Sequence, residues 1–153
     1  MIRSEAEYRD ALRRRQKDQA FASQQRAALV AKGLAAEQIE RVIDPLLSFN
    51  AQLDDEIAWY ERVRRGDFGH LSRLADIGQL LIALRIAAGM TQRQLADRLD
   101  VSEAQVSRDE RNEYHGITVE RAQRIIDALG AGVTVGVREP PTSHDRAVLA
   151  GAR

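Results

Sequence analysis

The fold of this chain is decided by residues 89–112, GMTQRQLADRLDVSEAQVSRDERN. Thr91 and Ser102 each stand three residues before a glutamine, which is the capping-box signature of a helix N-terminus. Apolar residues recur after each cap, and Asp100 and Val101 separate the two segments. The stretch therefore predicts two short helices joined by a turn of three or four residues, the helix-turn-helix arrangement.

One further helix is predicted on each side of this motif. The preceding segment carries an apolar stripe with 3-4-3-4 spacing that ends at Gly89. We expect this stripe to be one buried helix face: Leu74, Ile77, Leu81, Leu84 and Ala88. After the motif, Thr118 is a good N-cap for a last helix, which Gly130 closes. Its predicted inner face is Val119, Ala122, Ile126 and Leu129.

A short β-strand is predicted after the last helix, because residues 133–137 alternate apolar with small or polar side chains. A lone strand leaves its backbone groups unpaired, and no other segment has a strand pattern. The predicted partner is the same strand of a second subunit, with Val133, Val135 and Val137 as dimerisation residues. The rival prediction is that the N-terminal helices alone make the dimer.

The first 65 residues predict long helices. Ser4 with Glu7 forms a capping box, and Gly33 is the expected end of this first helix. The next segment has heptad spacing: Ile39, Ile43, Leu46, Asn50, Leu53, Ile57 and Tyr60. Asp44 and Pro45 interrupt it, so we expect a short helix followed by a longer one. Either the stripe packs on the first helix as a hairpin, or it also meets a second subunit.

These patterns predict a mainly α protein. An N-terminal long-helix hairpin spans residues 1–68 and serves dimerisation or partner binding. A compact helix-turn-helix domain ending in a short β-strand spans 71–137, and 138–153 form a flexible tail. The glycine-containing junction 64–69 is the expected boundary between the first two parts.

Composition narrows the function classes. The chain has 153 residues, with 23 basic and 23 acidic side chains and no cysteine, which excludes a disulfide framework and a cysteine zinc site. The three histidines are far apart, and we expect neither a metal nor a cofactor. No apolar run is long enough for a membrane span, and the N-terminus is not a signal peptide, so we expect a cytoplasmic protein. Zero net charge argues mildly against nucleic-acid binding.

The motif and its flanks carry a family resemblance. The pattern comprises Leu84-Arg85, Gly89-Met90-Thr91-Gln92, Leu95-Ala96, Val101-Ser102, Val106-Ser107-Arg108 and Glu110-Arg111. In this order it resembles the XRE/Cro-repressor helix-turn-helix family over about residues 74–130.

The resemblance implies a role for each matching position. Thr91, Gln92 and Arg93 fall at the phosphate-contacting end of the first short helix, although a solvated surface charge is an equal alternative for Arg93. Matches to major-groove positions are Ser102, Glu103, Ala104, Gln105 and Arg108. Arg pairs with guanine, Gln with adenine, and Glu accepts from cytosine. Arg85 and Glu110 match a buried structural ion pair of the family.

Three positions depart from the family pattern. Asp100 and Asn112 stand where the family favours glycine, and both residue types tolerate a left-handed backbone. Asp109 replaces an apolar residue, which puts in doubt how the second short helix packs. Together with Glu103 it brings acid towards the DNA-facing side and is expected to weaken non-specific binding.

The resemblance implies a sequence-specific repressor that binds a palindromic operator in double-stranded DNA as a homodimer, associated with the nucleoid when bound. The helix, A-L-G and short-strand ordering is similar to antitoxins of the HigA kind, which implies autoregulation and a cognate toxin as a further partner. The alternatives are a stand-alone XRE-family regulator and an interaction module with a degenerate helix-turn-helix. His70, Asp76, Asp109 and His115 lie in no catalytic motif, so we expect no enzyme.

Overall fold

The computed structural model describes residues 1–71 and 73–136, and for Leu46 and Phe49 the backbone alone. All the regular structure in this part of the chain is helical. The elements are α1 (Glu5–Ala31), α2 (Ala36–Arg64), a 3₁₀ turn (Leu74–Asp76), α3 (Ile77–Ala87), α4 (Gln92–Leu99), α5 (Glu103–Arg111) and α6 (Val119–Leu129).

The first helix begins where its capping box predicts. The Ser4 hydroxyl accepts from the Glu7 amide, and the Glu7 carboxylate accepts from the Ser4 amide in return. The helix ends at Ala31, and Gly33 turns the chain with a φ of +79°. The structure therefore confirms the predicted start and end of α1.

The predicted break at Asp44 and Pro45 is wrong, because α2 runs without interruption through Pro45. A proline inside a helix removes one backbone hydrogen bond and costs free energy. Ile39 and Ile43 lie just before it and are buried against Ala22 of α1, so packing on the neighbouring helix holds the segment helical.

The helices α1 and α2 form a hairpin whose two halves differ. Near its open end, α2 contributes Ile57, Tyr60 and Val63 to one core shared with α3 to α6, and residues 2 and 11 join it. Towards the connecting loop, the described side chains form a separate small cluster in which Ala22, Ile39 and Ile43 are buried and Leu29 and Leu34 pack against them. The hairpin and the helix-turn-helix unit thus share one core, and only the distal half of the hairpin stands outside it.

The heptad stripe of α2 faces α1, as the hairpin arrangement predicts. Ile39, Ile43, Asn50, Ile57 and Tyr60 are buried and Leu53 is half-buried, whereas the Leu46 side chain is outside the described part. At the open end, the Tyr8 and Tyr60 rings stack with centroids 4.9 Å apart, and the Tyr8 hydroxyl donates to Glu61 at 2.7 Å. The open end of the hairpin also packs against α3, whose buried residues lie in the same core as Ile57, Tyr60 and Val63 of α2.

The buried face of α3 differs from the predicted stripe. Leu81 is buried, but Leu74 is 66 % exposed in the 3₁₀ turn and Ala88 is exposed at the C-cap. The face that packs inwards is Gly78, Leu81, Ile82, Ala83, Arg85 and Ile86. Ile77 and Leu84 are half-buried against the core, so the predicted stripe is wrong only at its two ends. A wider arc than one stripe is buried because α2 and α6 pack on α3, and Arg85 also binds α5.

The three caps of the helix-turn-helix unit are present. Thr91 and Gln94 form a complete capping box, and the Thr118 hydroxyl accepts from the Arg121 amide. Ser102 accepts from the Gln105 amide, but the return bond of the predicted second capping box is absent. Ala122, Ile126 and Leu129 of α6 are buried as predicted, together with Ile125.

Val119 was predicted on the inner face of α6 and is instead 81 % exposed. It is the first residue of the helix, where the chain has just left the Thr118 cap and has not reached the core.

The predicted terminal β-strand is absent from the described part of the chain. Residues 131–136 have no regular structure, and Val133 and Val135 are 40 % and 72 % exposed. Within the described chain no second extended segment lies beside them to complete a backbone ladder, and a strand without one is not stable. Val137 and the predicted tail 138–153 lie outside the described residues.

Among the helices described, none is by itself long and apolar enough to span a membrane. Leu74–Ala87 and Gln92–Leu99 meet the length and composition criteria only as a pair, and the pair is bent by 107°.

Candidate nucleic-acid interface

Helix α5 presents one polar face to solvent. Its buried residues are Val106 and Glu110, one turn apart. The opposite side of a helix with 3.6 residues per turn carries Ala104, Arg108 and Arg111, and all three are exposed. We refer to these three residues as the outer face of α5. Ser102 and Glu103 are also exposed, at the N-terminus of the helix.

Both acidic residues in the last turn of α5 are paired away from this outer face. Glu110 is completely buried against Arg85 of α3. Asp109 is half-buried and accepts from Arg121 of α6. The doubt raised by Asp109 is thereby answered, because a polar bond to α6 replaces the apolar contact expected there. Of the acids on α5, only Glu103 remains exposed.

The predicted ion pair lies at the centre of the shared core. Arg85 is 3 % exposed and binds Glu110 through two nitrogens, one of them 2.7 Å from Oε2. Its remaining donors reach the Met90 carbonyl and the Arg3 carbonyl, both at 2.8 Å. A buried charge pair is tolerated only when its hydrogen bonds are satisfied, and this guanidinium has four acceptors.

The side chain of Gln92 is tied into the same network. Its Nε2 donates to Glu110 Oε2 at 2.7 Å, which joins the N-terminus of α4 to the last turn of α5. Gln92 is half-buried, whereas Thr91 and Arg93 beside it are exposed. The first amides of a helix have no partner within the helix and attract anions, so this end of α4 suits a phosphate. Glu110 thus holds the Gln92 side chain against the buried side of α5, at the N-terminus of α4.

Gln105 lies at the edge of α5 rather than on its outer face. It is half-buried and lines a groove of about 490 Å³ between α4, α5 and α6, together with Val101, Arg121 and Arg124. The position explains the missing half of the second capping box, because the Gln105 side chain turns towards α6. Among the predicted major-groove residues, Gln105 is therefore set apart from Ala104 and Arg108.

The turn after α5 is held by a close approach of two backbones. A Cβ atom on Gly78 would lie 1.8 Å from the Glu113 carbonyl oxygen, so only glycine fits here. Asn112 has an ordinary φ of −90°, and the left-handed residues are Glu113 and Tyr114 at +49° and +51°. The expectation for Asn112 is thus wrong, whereas Asp100 is left-handed as predicted, with a φ of +55°.

Tyr114 fixes this turn from within. Its side chain is 6 % exposed, its amide donates to the Asp109 carbonyl at 2.7 Å, and burial raises the pKa of the phenol above its usual range. A neutral, buried Tyr114 therefore anchors the segment that leaves α5.

In residues 81–135, the position of each charged side chain is more informative than the net charge. Residues 81–135 contain seven arginines and eight acids, which gives no net attraction to DNA. In the described structure, however, none of the ion pairs involves Arg93, Arg108 or Arg111, which stay exposed around α4 and α5. These three arginines are therefore exposed on α4 and α5, together with the exposed acids Asp97, Asp100 and Glu103.

The sequence analysis assigned no role to four residues of this region: Arg3, Gly78, Arg111 and Arg121. The helical period of α5 would have found Arg111, three residues after Arg108 on the same face. The other three act through contacts between distant segments, for which a single sequence has no signal.

Residues 81–135 match the family model of the helix-turn-helix domain, of XRE type. The predicted resemblance is confirmed for this part of the chain, a little over a third of its length, and the domain family is a DNA-binding one without enzymatic activity. No curated protein and no solved structure shows significant similarity to the chain. Within the described residues, no group of three or more His, Cys, Asp or Glu is placed to hold a metal ion.

Proposed function

We propose that this protein is a transcriptional repressor that binds a specific site in double-stranded DNA through α4 and α5. The observation that carries the proposal is the outer face of α5, which exposes Arg108 and Arg111 while Asp109 and Glu110 are paired away from it. Backbone contacts to phosphate position a protein on a duplex, and side chains in the major groove read the bases. The chain offers a group of residues for each task.

Base reading is assigned to the exposed side of α5. Arg108 is the candidate for guanine, because a guanidinium bonds its O6 and N7 together, and Ala104 suits a thymine methyl group. Glu103 is a candidate acceptor from cytosine N4, next to Ser102. Gln105 remains a predicted base contact, but its place in the groove beside α6 makes it the weakest of this set.

Phosphate binding is assigned to the N-terminus of α4. Thr91 and Arg93 are exposed there, and Gln92 is held in place by Glu110. A contact of this kind reads no base, so its loss should weaken all sequences alike.

A dimer on a two-fold symmetric operator follows from how one such unit reads DNA. A single recognition helix covers only a few base pairs, and two of them reach successive major grooves about 34 Å apart. We propose that this operator lies upstream of the protein's own gene in the bacterial chromosome, where binding blocks transcription.

The test is a DNase footprint on that upstream region with the full chain. The expected result is a protected site with two symmetric halves, together with lower transcription from the same fragment. Protection of one asymmetric half-site, or no protection above that of unrelated DNA, would contradict the proposal.

The rival function is a protein-interaction module with a degenerate helix-turn-helix. Residues 81–135 contain one more acidic residue than arginine, and this favours the rival because DNA-binding domains are usually basic. The footprint separates the two functions, since an interaction module protects no site.

The antitoxin role is a finer proposal with less support. It rests on the resemblance of residue order alone, and the strand that formed part of that order is absent from the described residues. If a small toxin-like reading frame neighbours the gene, co-purification of its product with this chain is the expected result. Without such a complex the protein is a stand-alone regulator.

A further inference from the structure

A groove separates α5 from α6. Helix α5 packs closely along α4 but meets α6 in few places, and the surface between α4, α5 and α6 is hollow over about 490 Å³. Small-molecule sites usually have volumes of about 300–1,000 Å³. Gln105 lines the groove from α5, and Arg121 lines it from α6 and binds Asp109 of α5. A molecule in the groove would therefore contact the helix to which base reading is assigned.

Part of the groove lining is apolar. Ile125 is buried, and three neighbours from α4, the following turn and α6 are half-buried: Leu99, Val101 and Ala128. The half-buried side chains keep some apolar surface in water, and an apolar group of a ligand would cover it. A bare inorganic ion gains nothing from such surface, so this part of the lining favours an organic molecule.

The charged residues of the lining favour an anion. They are three arginines and one acid: Arg98, Arg121, Arg124 and Asp127. Asp127 accepts from Gln123 of its own helix at 2.8 Å. Among the ion pairs of the described chain, none involves Arg98 or Arg124. The lining therefore has an excess of positive charge, which is complementary to a carboxylate.

Hydrogen-bond donors also remain for a ligand. A guanidinium has five N–H donors. Arg98 donates to the Ala128 carbonyl at 2.7 Å, and Arg121 donates to Asp109, so each keeps further donors. Arg124 is exposed, three residues after Arg121, and residues at this spacing are neighbours on the surface of a helix. Arg121 and Arg124 are thus placed to hold one carboxylate between them.

We propose that this groove binds a small organic anion, with its carboxylate on Arg121 and Arg124 and its apolar body against Leu99 and Val101. We further propose that the bound anion weakens the binding of DNA by α5. The second statement rests on the proposed function, whereas the first does not.

The bond between Arg121 and Asp109 connects the groove to DNA binding. The two side chains are 37 % and 26 % exposed, so a ligand can reach them. A ligand carboxylate competes with Asp109 for the Arg121 guanidinium. The released Asp109 keeps its negative charge one residue from Arg108, where it repels the phosphates of a duplex. By linkage, DNA must lower the affinity for the ligand by the same factor.

The first test is calorimetric titration of the full chain without DNA. The probe is naphthoate, a fused-ring carboxylate. Naphthalenemethanol has the ring without the charge, and inorganic phosphate has the charge without the ring. We expect naphthoate to bind at least about tenfold more tightly than either, because it alone makes both kinds of contact. Equal binding of phosphate would indicate a plain anion site, and equal binding of the alcohol a plain apolar groove; either result would overturn the proposal.

An arginine variant tests the placement of the carboxylate. Arg124→Ala should weaken naphthoate binding by about tenfold or more, since a hydrogen bond to a charged group is worth that much. The matched control is Arg62→Ala, at an exposed arginine of α2 that takes part in no ion pair of the described chain. The control should bind like the wild type. Equal affinities in the two variants would contradict the assignment.

A measurement on the wild type covers the event that a variant fails to fold. Amide signals of the chain are followed by NMR as naphthoate is added. We expect the largest shifts at Val101, Gln105 and Ala128, and little change at Ala22 in the distal half of the hairpin. Largest shifts outside the groove would overturn the proposal.

DNA binding with and without naphthoate separates this inference from the proposed function. We expect naphthoate to weaken specific binding by the wild type, and to do so less in Asp109→Asn, which has no carboxylate to release. If naphthoate binds in the groove but the chain binds no specific DNA, the proposed function fails and the ligand site stands. If specific DNA binds but naphthoate does not, the ligand site fails and the proposed function stands. Naphthoate binding without any change in DNA affinity would overturn the coupling.

Discussion

The distal half of the hairpin and the helix-turn-helix unit are both helical, but they are specified in different ways. In the helix-turn-helix unit, four helices surround a core that encloses a complete ion pair, and Thr91, Ser102 and Thr118 mark where three of these helices begin. In the distal hairpin, the described side chains form a cluster with three buried apolar residues, and large apolar side chains such as Phe21 and Val30 remain partly in solvent. The first region has its own enclosed core, whereas the described part of the second leaves most of its large apolar side chains at least partly in solvent.

The largest expected effect tests how far the first region depends on its buried charges. Arg85→Ala leaves Glu110 buried without its cation, which should cost about 3–5 kcal/mol of unfolding free energy. The matched control is Arg93→Ala, at an exposed arginine of the same unit, with an expected change below about 0.5 kcal/mol. Denaturant unfolding measures both, and equal midpoints for Arg85→Ala and wild type would show that the pair contributes nothing.

A pair of isoleucine variants compares the two regions directly. Ile57 and Ile43 are each 1 % exposed on α2, but Ile57 belongs to the shared core and Ile43 to the distal cluster. Ile57→Ala should cost about 2–5 kcal/mol and lower the stability of the whole chain. Ile43→Ala should mainly increase hydrogen exchange in the distal hairpin, because few other elements depend on it. Equal loss of protection in α5 for the two variants would contradict the division into two halves.

Gly78 tests the contact between α3 and the turn after α5. A methyl group there collides with the Glu113 carbonyl, so Gly78→Ala should cost about 1–3 kcal/mol through overpacking. Gly132→Ala is the control, because a Cβ atom at that position meets nothing within 4 Å. Thermal melting of the two variants checks the difference, and similar melting temperatures would disprove the close approach.

The smallest expected effect is the pH dependence that Tyr114 confers. Burial raises its pKa in the folded state above the value of about 10 in an unfolded chain, so folding favours the neutral phenol. This contribution is fully present below pH 10 and is lost as the pH rises further. Tyr114→Phe should therefore reduce the alkaline loss of stability. Tyr8 and Tyr60, whose pKa values are also raised, should keep part of that loss in the variant. A wild-type and a variant curve of the same slope above pH 10 would contradict this assignment.

Prediction from the sequence was most accurate for local structure such as helix caps and turns. Caps and turns depend on residues three or four positions apart, and these located α1, α4, α5 and α6 and the left-handed Asp100. The failures involve tertiary context. Helix α2 continues through Pro45 because it packs on α1. Helix α3 buries a wider arc than the predicted stripe because several neighbouring helices contact it. The predicted strand needed a partner that the described chain does not supply.

The candidate site divides in the same way. The positions of Arg108 and Ser102 follow from the motif, and the pairing of Arg85 with Glu110 follows from the family resemblance. The bonds from Gln92 to Glu110 and from Arg121 to Asp109 join different helices, so they could not be predicted from residue spacing in the sequence.

The central claim is that the outer face of α5 reads DNA bases, and selection from a pool of randomised duplexes tests it most directly. The full chain and Arg108→Ala are selected in parallel, with Gln92→Ala as the control for a phosphate contact. We predict that the wild type enriches a two-fold symmetric site with half-sites one helical turn apart. Arg108→Ala should lose preference at one position of each half-site, worth about 1–3 kcal/mol, while Gln92→Ala enriches the wild-type site more weakly. No enriched site, or the same preference at every position for wild type and Arg108→Ala, would contradict the claim.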